Sequence, residues 1–420
     1  MWQHQPIQRK LTMQYFNGRR LQESQYCAGR IKSNQLSAVL NDVQVDFSLF
    51  DAATAPSLWG ARPLIGQVQP GVLRMRCTAM DLQAFAASYA TLHLQPLVAA
   101  IRPVRPLGFF PNFSERYNSL GQGQASTGNL GLMVLLDYPN LFHQMGSLFL
   151  AFAAMHLAHL SDETSAHIFF LNNASASATA LLWSPGLTRR TVRFVRSEPT
   201  LPPMHFDRLI LVQPATETWW WNVWQPDRAD RRALFHPFAA TLVSRLLPTV
   251  GSANLLESKP SFITLIERPP PSDRRLLNQK HLVAVLRSKL AQERTGEWRA
   301  QLVNMALLSS RDQLALIRNT ALLMGVHGAG LAWNLFLPQG APVIELLNLA
   351  NANQYYANQC RWTLRPYVAW QNNNSLREER AADVNGQELD QFRNHYAVDV
   401  SEVSTLAILE LRRSRLGDKE

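Results

Sequence analysis

The chain has 420 residues, 46% of them hydrophobic and 17% charged, with a formal net charge of +10. That length exceeds one comfortable core and predicts two domains, and the ordinary apolar-to-charged balance excludes a disordered chain. The basic balance, with a pI of about 9.8, suits an anionic partner. The arginines nevertheless fall in isolated pairs such as Arg189-Arg190, Arg274-Arg275 and Arg412-Arg413, so no nucleic-acid partner is expected.

The first residues, MWQHQPIQRKLTMQYF, lack the apolar core of a signal peptide. No run approaches the ~18 apolar residues of a membrane span, so none is expected. If Met1 is the native start, these features point to the cytoplasm. Three cysteines, Cys27, Cys77 and Cys360, cannot build a disulfide framework and read as small buried apolar side chains.

Residues 1–95 are glutamine-rich and weakly periodic, with strand-like runs at 38–47 and 73–77. From there the pattern sharpens. Residues 132–136 read as a strand and 140–160 as a helix with Phe142, Met145, Phe149 and Phe152 in phase. Strands follow at 167–171 and 208–212, then a helix at 234–247 with Phe235, Phe238, Leu242 and Leu246 on one side. Residues 248–260 read as a linker. Beyond it strands at 262–266, 300–303, 322–325 and 342–346 alternate with helices at 278–290, 310–319 and 331–335. Asn278 is the expected cap of the first of these, and Ser310 with Gln313 a capping box for the second. This alternation predicts a parallel sheet covered on both faces, with ligands at the carboxyl ends of the strands. Arg268 and His327 both fall at such ends. A terminal helix is expected over 401–415.

The most informative stretch is GVHGAGLAWNLFLPQGAPVIELLN, residues 325–348. It reads as strand, glycine turn, helix, strand. Glycines at such a turn permit close approach to the backbone, and a helix N-terminus attracts an anion, a diphosphate being the usual one. The spacing is not the dinucleotide fingerprint, and His327 adds an imidazole which that motif lacks.

Five stretches in order resemble glycosyltransferase family 61, and within it the EGF-domain-specific O-linked N-acetylglucosamine transferases. They are NLFHQMGSLFLAFAAMHL, with an Asn-x-x-His helix start; WWWNVWQP followed by ALFHPFAATLVSRL; Arg268 with Arg274-Arg275-Leu-Leu-Asn278; the segment from Leu314 through HGAGL to LFLP; and Glu345-Leu-Leu-Asn348 with Tyr355-Tyr356 and Cys360-Arg361-Trp362. They cover roughly residues 130–370. The resemblance implies an α/β chain of two Rossmann-like lobes with a cleft between them (the GT-B type). The boundaries are then 1–248 for an acceptor-side lobe with an irregular N-terminal extension and 249–396 for a nucleotide-sugar lobe. Residues 397–420 form a helix returning to the first lobe. The implied activity is inverting transfer of a sugar, N-acetylglucosamine above all, from a UDP-sugar to a hydroxyl of a protein or glycan. Pentosyl or xylosyl transfer to a polysaccharide, or silent nucleotide-sugar binding, are the alternatives. The partners are the donor and the acceptor. No cofactor and no metal are required, since the chain has no Asp-x-Asp motif and amides and arginines can hold a diphosphate. The resemblance also points to the secretory pathway.

The candidate donor-binding residues are Arg268, Arg274, Arg275, Asn278, His327, Gly328, Gly330 and Glu345. Arg268 would neutralise the diphosphate, His327 contact a phosphate or the turn, and Glu345 accept the ribose hydroxyls. The plainer alternatives are a solvated arginine, a packed imidazole, a helix cap at Asn278 and a salt-bridged glutamate. His143 is the candidate base, with Asp137 as its substitute. Gln144 and Ser147 stand where the family commonly has acids. Trp221 and Trp224 are candidates for a sugar platform and Trp333 for the donor-sugar pocket; core packing is the alternative for each.

Overall fold

The computed structural model describes residues 260–292, 298–351, 353–382 and 385–417. N-terminal to these it describes 15–16, 19–20, 24–26, 31–33, 37–45, 73–75, 82–83, 101–103, 130–134, 141–157, 166–170, 187–189, 192–194, 203–212 and 232–247. Asp137, Trp221 and Trp224 lie outside the described residues. The chain divides into two compact units, Met1–Trp221 and Asn222–Glu420.

The first unit is built on a mixed sheet. Its strands are β1 (Ser37–Val45), β2 (Leu73–Met75), β3 (Ile101–Pro103), β4 (Leu130–Val134), β5 (His167–Phe170), β6 (Arg193–Phe194) and β7 (Met204–Val212). The order β6-β5-β4-β7-β1 continues into Ile31–Ser33 and Ser24–Tyr26, with β2 and β3 branching from β1. The pairs among β6, β5, β4 and β7 are parallel, and β7–β1 is antiparallel. Every position of β4 is buried. That explains why it reads as an unbroken apolar run rather than an alternation. Helix α1 (Leu141–Leu157) follows β4. It is buried on all sides rather than along the one face expected, and even Gln144 and Ser147 are fully covered. Alanines at 151, 153 and 154 between the large residues let neighbours approach the remaining faces.

The second unit begins, among the described residues, with α2 (Arg232–Leu246). It continues through β8 (Phe262–Ile266), α3 (Gln279–Gln292), β9 (Arg299–Val303), α4 (Ser310–Arg318), β10 (Thr320–Val326), β11 (Val343–Leu347), α5 (Tyr355–Trp362), β12 (Tyr367–Gln371) and α6 (Val400–Gly417). The five strands form one sheet in the order β9-β8-β10-β11-β12, every pair parallel. The alternation of strands and helices is the reason, since each crossover helix returns the chain to the same end. Both units thus carry parallel-rich sheets in a mixed α/β fold.

The core of the second unit joins Leu282, Val283, Leu286 and Leu290 of α3 to Val403, Ala407, Ile408 and Leu411 of α6, beneath Ile263, Met324 and Ile344 of the strands. The sequence reading sends the terminal helix to the first lobe. Its buried side chains are instead part of this core, because their i, i+4, i+5, i+8 spacing presents one apolar stripe alongside α3. The Trp370 indole N–H donates to Glu402 at 2.9 Å and ties α6 to β12. The cap of α4 is Ser309, not Ser310: its Oγ accepts the Asp312 N–H at 3.2 Å. Ser309 is extended at φ −61°, ψ 155°, the backbone a cap needs.

After β10 the chain winds into a 3-10 helix, Ala329–Phe336, buried from Leu331 to Phe336. Its carboxyl end is held by two guanidinium groups. Arg318 donates to the carbonyls of Phe336 and Leu337, each at 3.1 Å. Arg365 donates to Leu337 at 2.6 Å and to Pro338. Cations there offset the carbonyl end of the helix dipole. Burial pushes the pKa of Arg365 down to about 10, which leaves it cationic at neutral pH. Arg365→Leu is expected to strand these carbonyls and to lower the unfolding free energy by about 3 kcal/mol. Leu307→Ala, at a side chain 81% exposed, is expected to change it by less than ~0.5 kcal/mol. Chemical denaturation of the two variants beside wild type measures both.

Candidate functional site

The carboxyl ends of β8, β10 and β11 bring Arg268, His327 and Glu345 together. Gly325 lies opposite Glu345 and Val326 opposite Leu346 in the parallel ladder. The His327 N–H extends that ladder by one bond, donating to Leu346 at 3.1 Å. Its Nδ1 then lies 2.5 Å from Oε1 of Glu345, with the histidine 5% and the glutamate 0% exposed. A carboxylate can only accept, so the pair sets the proton on Nδ1. No described residue partners the other ring nitrogen, Nε2. The rings of Tyr356, Phe392 and Tyr355 surround the imidazole at 5.4, 5.7 and 5.9 Å.

Glu345 is therefore engaged at both oxygens, since Tyr367 donates its hydroxyl to Oε2 at 2.6 Å. The expected open acceptor for a ribose is in this geometry a buried holder of His327. The reason is its place inside β11, whose five residues are all buried. Three tyrosines act as donors here: Tyr367 to Glu345, Tyr356 to the carbonyl of Gly328 and Tyr396 to that of Leu346, each at 2.6 Å. Burial first, and the Glu345 charge second, push all three phenols above their usual range, which keeps those protons in place.

Arg268 packs against the glycine turn. A Cβ on Gly328 would meet its guanidinium Nη1 at 2.1 Å, and one on Gly330 would meet Ile266 at 3.2 Å. Gly328 thus leaves the space that the Arg268 guanidinium occupies, and Gly330 sits in tight contact with Ile266. Gly328 itself is extended, with φ 167°, a conformation open to any residue. Arg268 donates to Asp273 at 2.6 Å, and its buried Nε has no partner. Burial lowers its pKa most, with the Arg274 charge next and Asp273 opposing. Asp273 also faces Arg274 at 3.5 Å and Arg393 at 3.8 Å. Arg274 adopts φ 51°, a left-handed conformation that costs a non-glycine residue roughly 1 kcal/mol. Its N–H donates to Arg393 at 3.0 Å, and its guanidinium lies 4.8 Å over the Phe392 ring.

Two of the expected donor residues are committed elsewhere. The Asn278 side-chain amide donates to the Val398 carbonyl at 2.8 Å and accepts the Val398 N–H at 3.1 Å. It is a latch between segments. The Arg275 N–H lies 3.2 Å from Nδ1 of His395, and its side-chain Nε 3.4 Å from Nε2. A neutral ring accepts at one nitrogen only, and the shorter backbone contact is the better bond. Burial, then the Arg275 charge, lowers the His395 pKa, consistent with that neutral ring.

Trp333 is 1% exposed and packs beside Phe336 at 5.8 Å. It is a core side chain with no face for a sugar, because its 3-10 helix is buried continuously from Leu331 to Phe336. His143 sits at the start of α1 in the first unit, 8% exposed, edge-on to Phe142 at 5.5 Å. The free thiol of Cys360 is fully buried, and burial raises its pKa. Sequence reasoning missed Asp273, Tyr367, Phe392, Arg393 and Tyr396. Only Asp273, beside two arginines after a proline run, carried a local signal. A cavity of 610 Å³ lined by Phe262, Arg287, Trp298 and Arg299 lies at the amino ends of β8 and β9, the wrong end for these groups. Among the described residues no three His, Cys, Asp or Glu side chains gather as a metal-binding group, and no helix is long and apolar enough to cross a membrane.

Comparison with known proteins gives this geometry a family. The glycosyltransferase 61 family matches residues 157–344. The EGF domain-specific O-linked N-acetylglucosamine transferase of Drosophila melanogaster is 40% identical over 82 residues, 20% of this chain and 15% of that protein. The protein of the same name from Pan troglodytes is 29% identical over 182 residues, 42% of this chain and 32% of its own length. The one from Bos taurus is 31% identical over 138 residues, 32% and 25%. The chain thus matches at most about a third of the length of these curated relatives. Through residues 157–344 the chain belongs to glycosyltransferase family 61, as a distant homologue of the EGF domain-specific O-linked N-acetylglucosamine transferases.

Proposed function

We propose that the protein is an inverting glycosyltransferase of the two-lobed GT-B type, moving N-acetylglucosamine from a UDP-sugar to a hydroxyl of a protein or glycan. The observation that carries this reading is the cradle at the strand ends of the second unit. There the Arg268 guanidinium lies on Gly328, and His327 is fixed by Glu345 at 2.5 Å with its Nε2 unpartnered.

The chemistry follows from those groups. The acceptor oxygen attacks the anomeric carbon as the bond to the diphosphate breaks, and negative charge develops on the leaving oxygens. Arg268 is a donor fixed before that charge appears, so it stabilises the transition state without reorganising, and His327 stands beside it in the orientation that Glu345 sets. Glu345 contributes by orienting His327 rather than by touching the sugar. A base must take the acceptor proton, and His143 is assigned that role, with Asp137 as the substitute. The two-lobed division near residue 248 belongs to the same reading. A silent nucleotide-sugar binder is the second reading. It is favoured by Gln144 and Ser147, fully buried on α1, which give His143 no carboxylate at the two positions where the family commonly has acids.

UDP release from a panel of UDP-hexosamines and UDP-pentoses, with and without glycoprotein acceptors, decides the donor. UDP-N-acetylglucosamine is expected to give the fastest release; a faster pentose donor overturns the sugar assignment. Arg268→Ala is expected to lower kcat by about 10²–10³-fold, and Arg268→Lys to recover little, because a point charge does not reproduce the fork. Undiminished turnover in Arg268→Ala removes it from the mechanism. His143→Ala is expected to keep donor binding, read by thermal shift, while losing about 10²–10⁴-fold in turnover. Donor binding without UDP release by wild type, across all acceptors, establishes the silent reading.

A further inference from the structure

Arg268, just past the end of β8, is the guanidinium on which the proposed donor site depends, and little holds it. Its Nη1 lies over Gly328, 2.1 Å from where a Cβ would stand. Its buried Nε has no hydrogen-bond partner. Its Nη2 donates to Oδ1 of Asp273 at 2.6 Å, and no other described residue accepts from this guanidinium. An arginine side chain is rich in rotamers, and the space above a glycine leaves several of them open. One charge-assisted bond, short and directional, selects among them. The acceptor therefore decides where the remaining N–H donors of the fork are aimed.

Asp273 reaches that position from a backbone fixed on both sides. Before it, the Ser272 N–H donates to the Pro269 carbonyl at 3.0 Å and closes a turn. After it, the Arg274 N–H donates to the Arg393 carbonyl at 3.0 Å, Tyr396 to Arg275 at 3.0 Å and Leu277 to Tyr396 at 2.8 Å. None of these bonds uses the Asp273 carboxylate. Its ion-pair partners are guanidinium groups: Arg268 at 2.6 Å, with Arg274 at 3.5 Å and Arg393 at 3.8 Å, longer than good hydrogen bonds. A carboxylate beside a diphosphate seat also repels the ligand. It adds nothing to the grip on a bound anion. What it adds is the aim of Arg268, and aim counts where charge develops on the leaving oxygens.

We infer that Asp273 is a positioning residue of the transfer reaction, fixing the Arg268 fork toward the leaving diphosphate without touching donor or acceptor itself. The inference rests on the donor-site reading and adds to it the residue through which Arg268 is aimed. Loss of the carboxylate leaves the loop backbone paired and the cation present, and removes its orientation. Turnover and anion affinity are then expected to part: the first falls, and the second holds or rises.

The test follows UDP release by the full chain from the fastest donor of the UDP-sugar panel, with calorimetric titration of inorganic pyrophosphate beside it. Wild type is compared with Asp273→Ala, Asp273→Asn and Arg268→Ala, and with each Asp273 change placed in the Arg268→Ala background. The unfolding midpoint of every variant is read alongside. Asp273→Ala is expected to lower kcat roughly tenfold or more, with the donor KM and the pyrophosphate Kd no higher than those of wild type. Asp273→Asn keeps a neutral acceptor oxygen and is expected to fall between the two. In the Arg268→Ala background the loss of the carboxylate is expected to change kcat less than about twofold, because a residue that acts through Arg268 then has nothing to aim. Undiminished turnover in Asp273→Ala overturns the inference and leaves the donor site standing. A loss of similar size in both backgrounds overturns it too, and so does a loss of pyrophosphate affinity that matches the fall in kcat. If Asp273→Ala fails to fold, Asp273→Asn decides by the same cycle. A lowered kcat whose deficit disappears in the Arg268→Ala background supports the role, and a wild-type kcat removes it. A wild type that releases no UDP from any UDP-sugar sinks the transferase reading, and the positioning role with it.

Discussion

The second unit is organised around one fully buried carboxylate. Burying a charge costs several kcal/mol unless it is paired and hydrogen-bonded. Glu345 sits inside a central parallel strand, where water cannot reach it, so its partners must come from the protein. His327 arrives at the end of the neighbouring strand through a ladder bond, and Tyr367 comes from β12 on the far side. Once these two are bound, the imidazole has one orientation and one tautomer. The catalytic-looking feature is thus a consequence of solving a desolvation problem. The same solution holds the phenols of Tyr356, Tyr367 and Tyr396 protonated, and two of those hydroxyls bind the backbone of Gly328 and Leu346 on either side of the pair.

The second constraint is steric. Arg268 can lie over the turn only because residue 328 has no side chain. Its position and that of His327 are therefore not independent: a methyl group at 328 would displace the guanidinium while leaving the Glu345 pair intact. Asp273 then gathers Arg274 and Arg393 about the same point, and Arg274 accepts an unfavourable φ to join them. The strain is offset by its bond to Arg393 and by the Phe392 ring. Strain of this kind persists where surrounding contacts over-determine it, which fits a loop zipped to the C-terminal segment on one side and salt-bridged on the other.

Much of this was legible in the chain. The alternation of apolar runs and amphipathic segments after residue 260 gives a parallel sheet because period and element length are local properties, and β8 was readable to the residue. The HGAGL turn was readable because glycines and the strand before them are adjacent. What was not readable depends on partners far away in sequence. Asn278 and Arg275 meet Val398 and His395 across 120 residues, so neither could be recognised as a latch. Trp333 looked like a pocket residue because nothing local reveals that its 3-10 helix is covered on every side. Glu345 reads from the sequence as the end of a strand but lies at the middle of β11; its two hydrogen-bond partners come from separate strands, and only their arrival turns it from an open acceptor into a holder. The cap of α4 was missed by one residue because Ser309 and Ser310 are chemically alike; the extended backbone at 309 decides between them.

The LFLP element shows how the same physics extends outward from the site. A 3-10 helix ends in carbonyls that have no continuing partner. Here those carbonyls are buried, so solvent cannot satisfy them, and two arginines from α4 and the approach to β12 do so instead. Arg318 and Arg365 therefore fix the far end of the segment whose near end is Gly328. With Arg268 and Tyr356 on one end and the two guanidinium groups on the other, the whole stretch from His327 to Pro338 is held by side chains from four different elements. A preorganised site requires that its donors not move when charge develops. On the proposed reading, Arg318 and Arg365 would serve that requirement from away from the cradle, by holding the backbone at the far end of the segment.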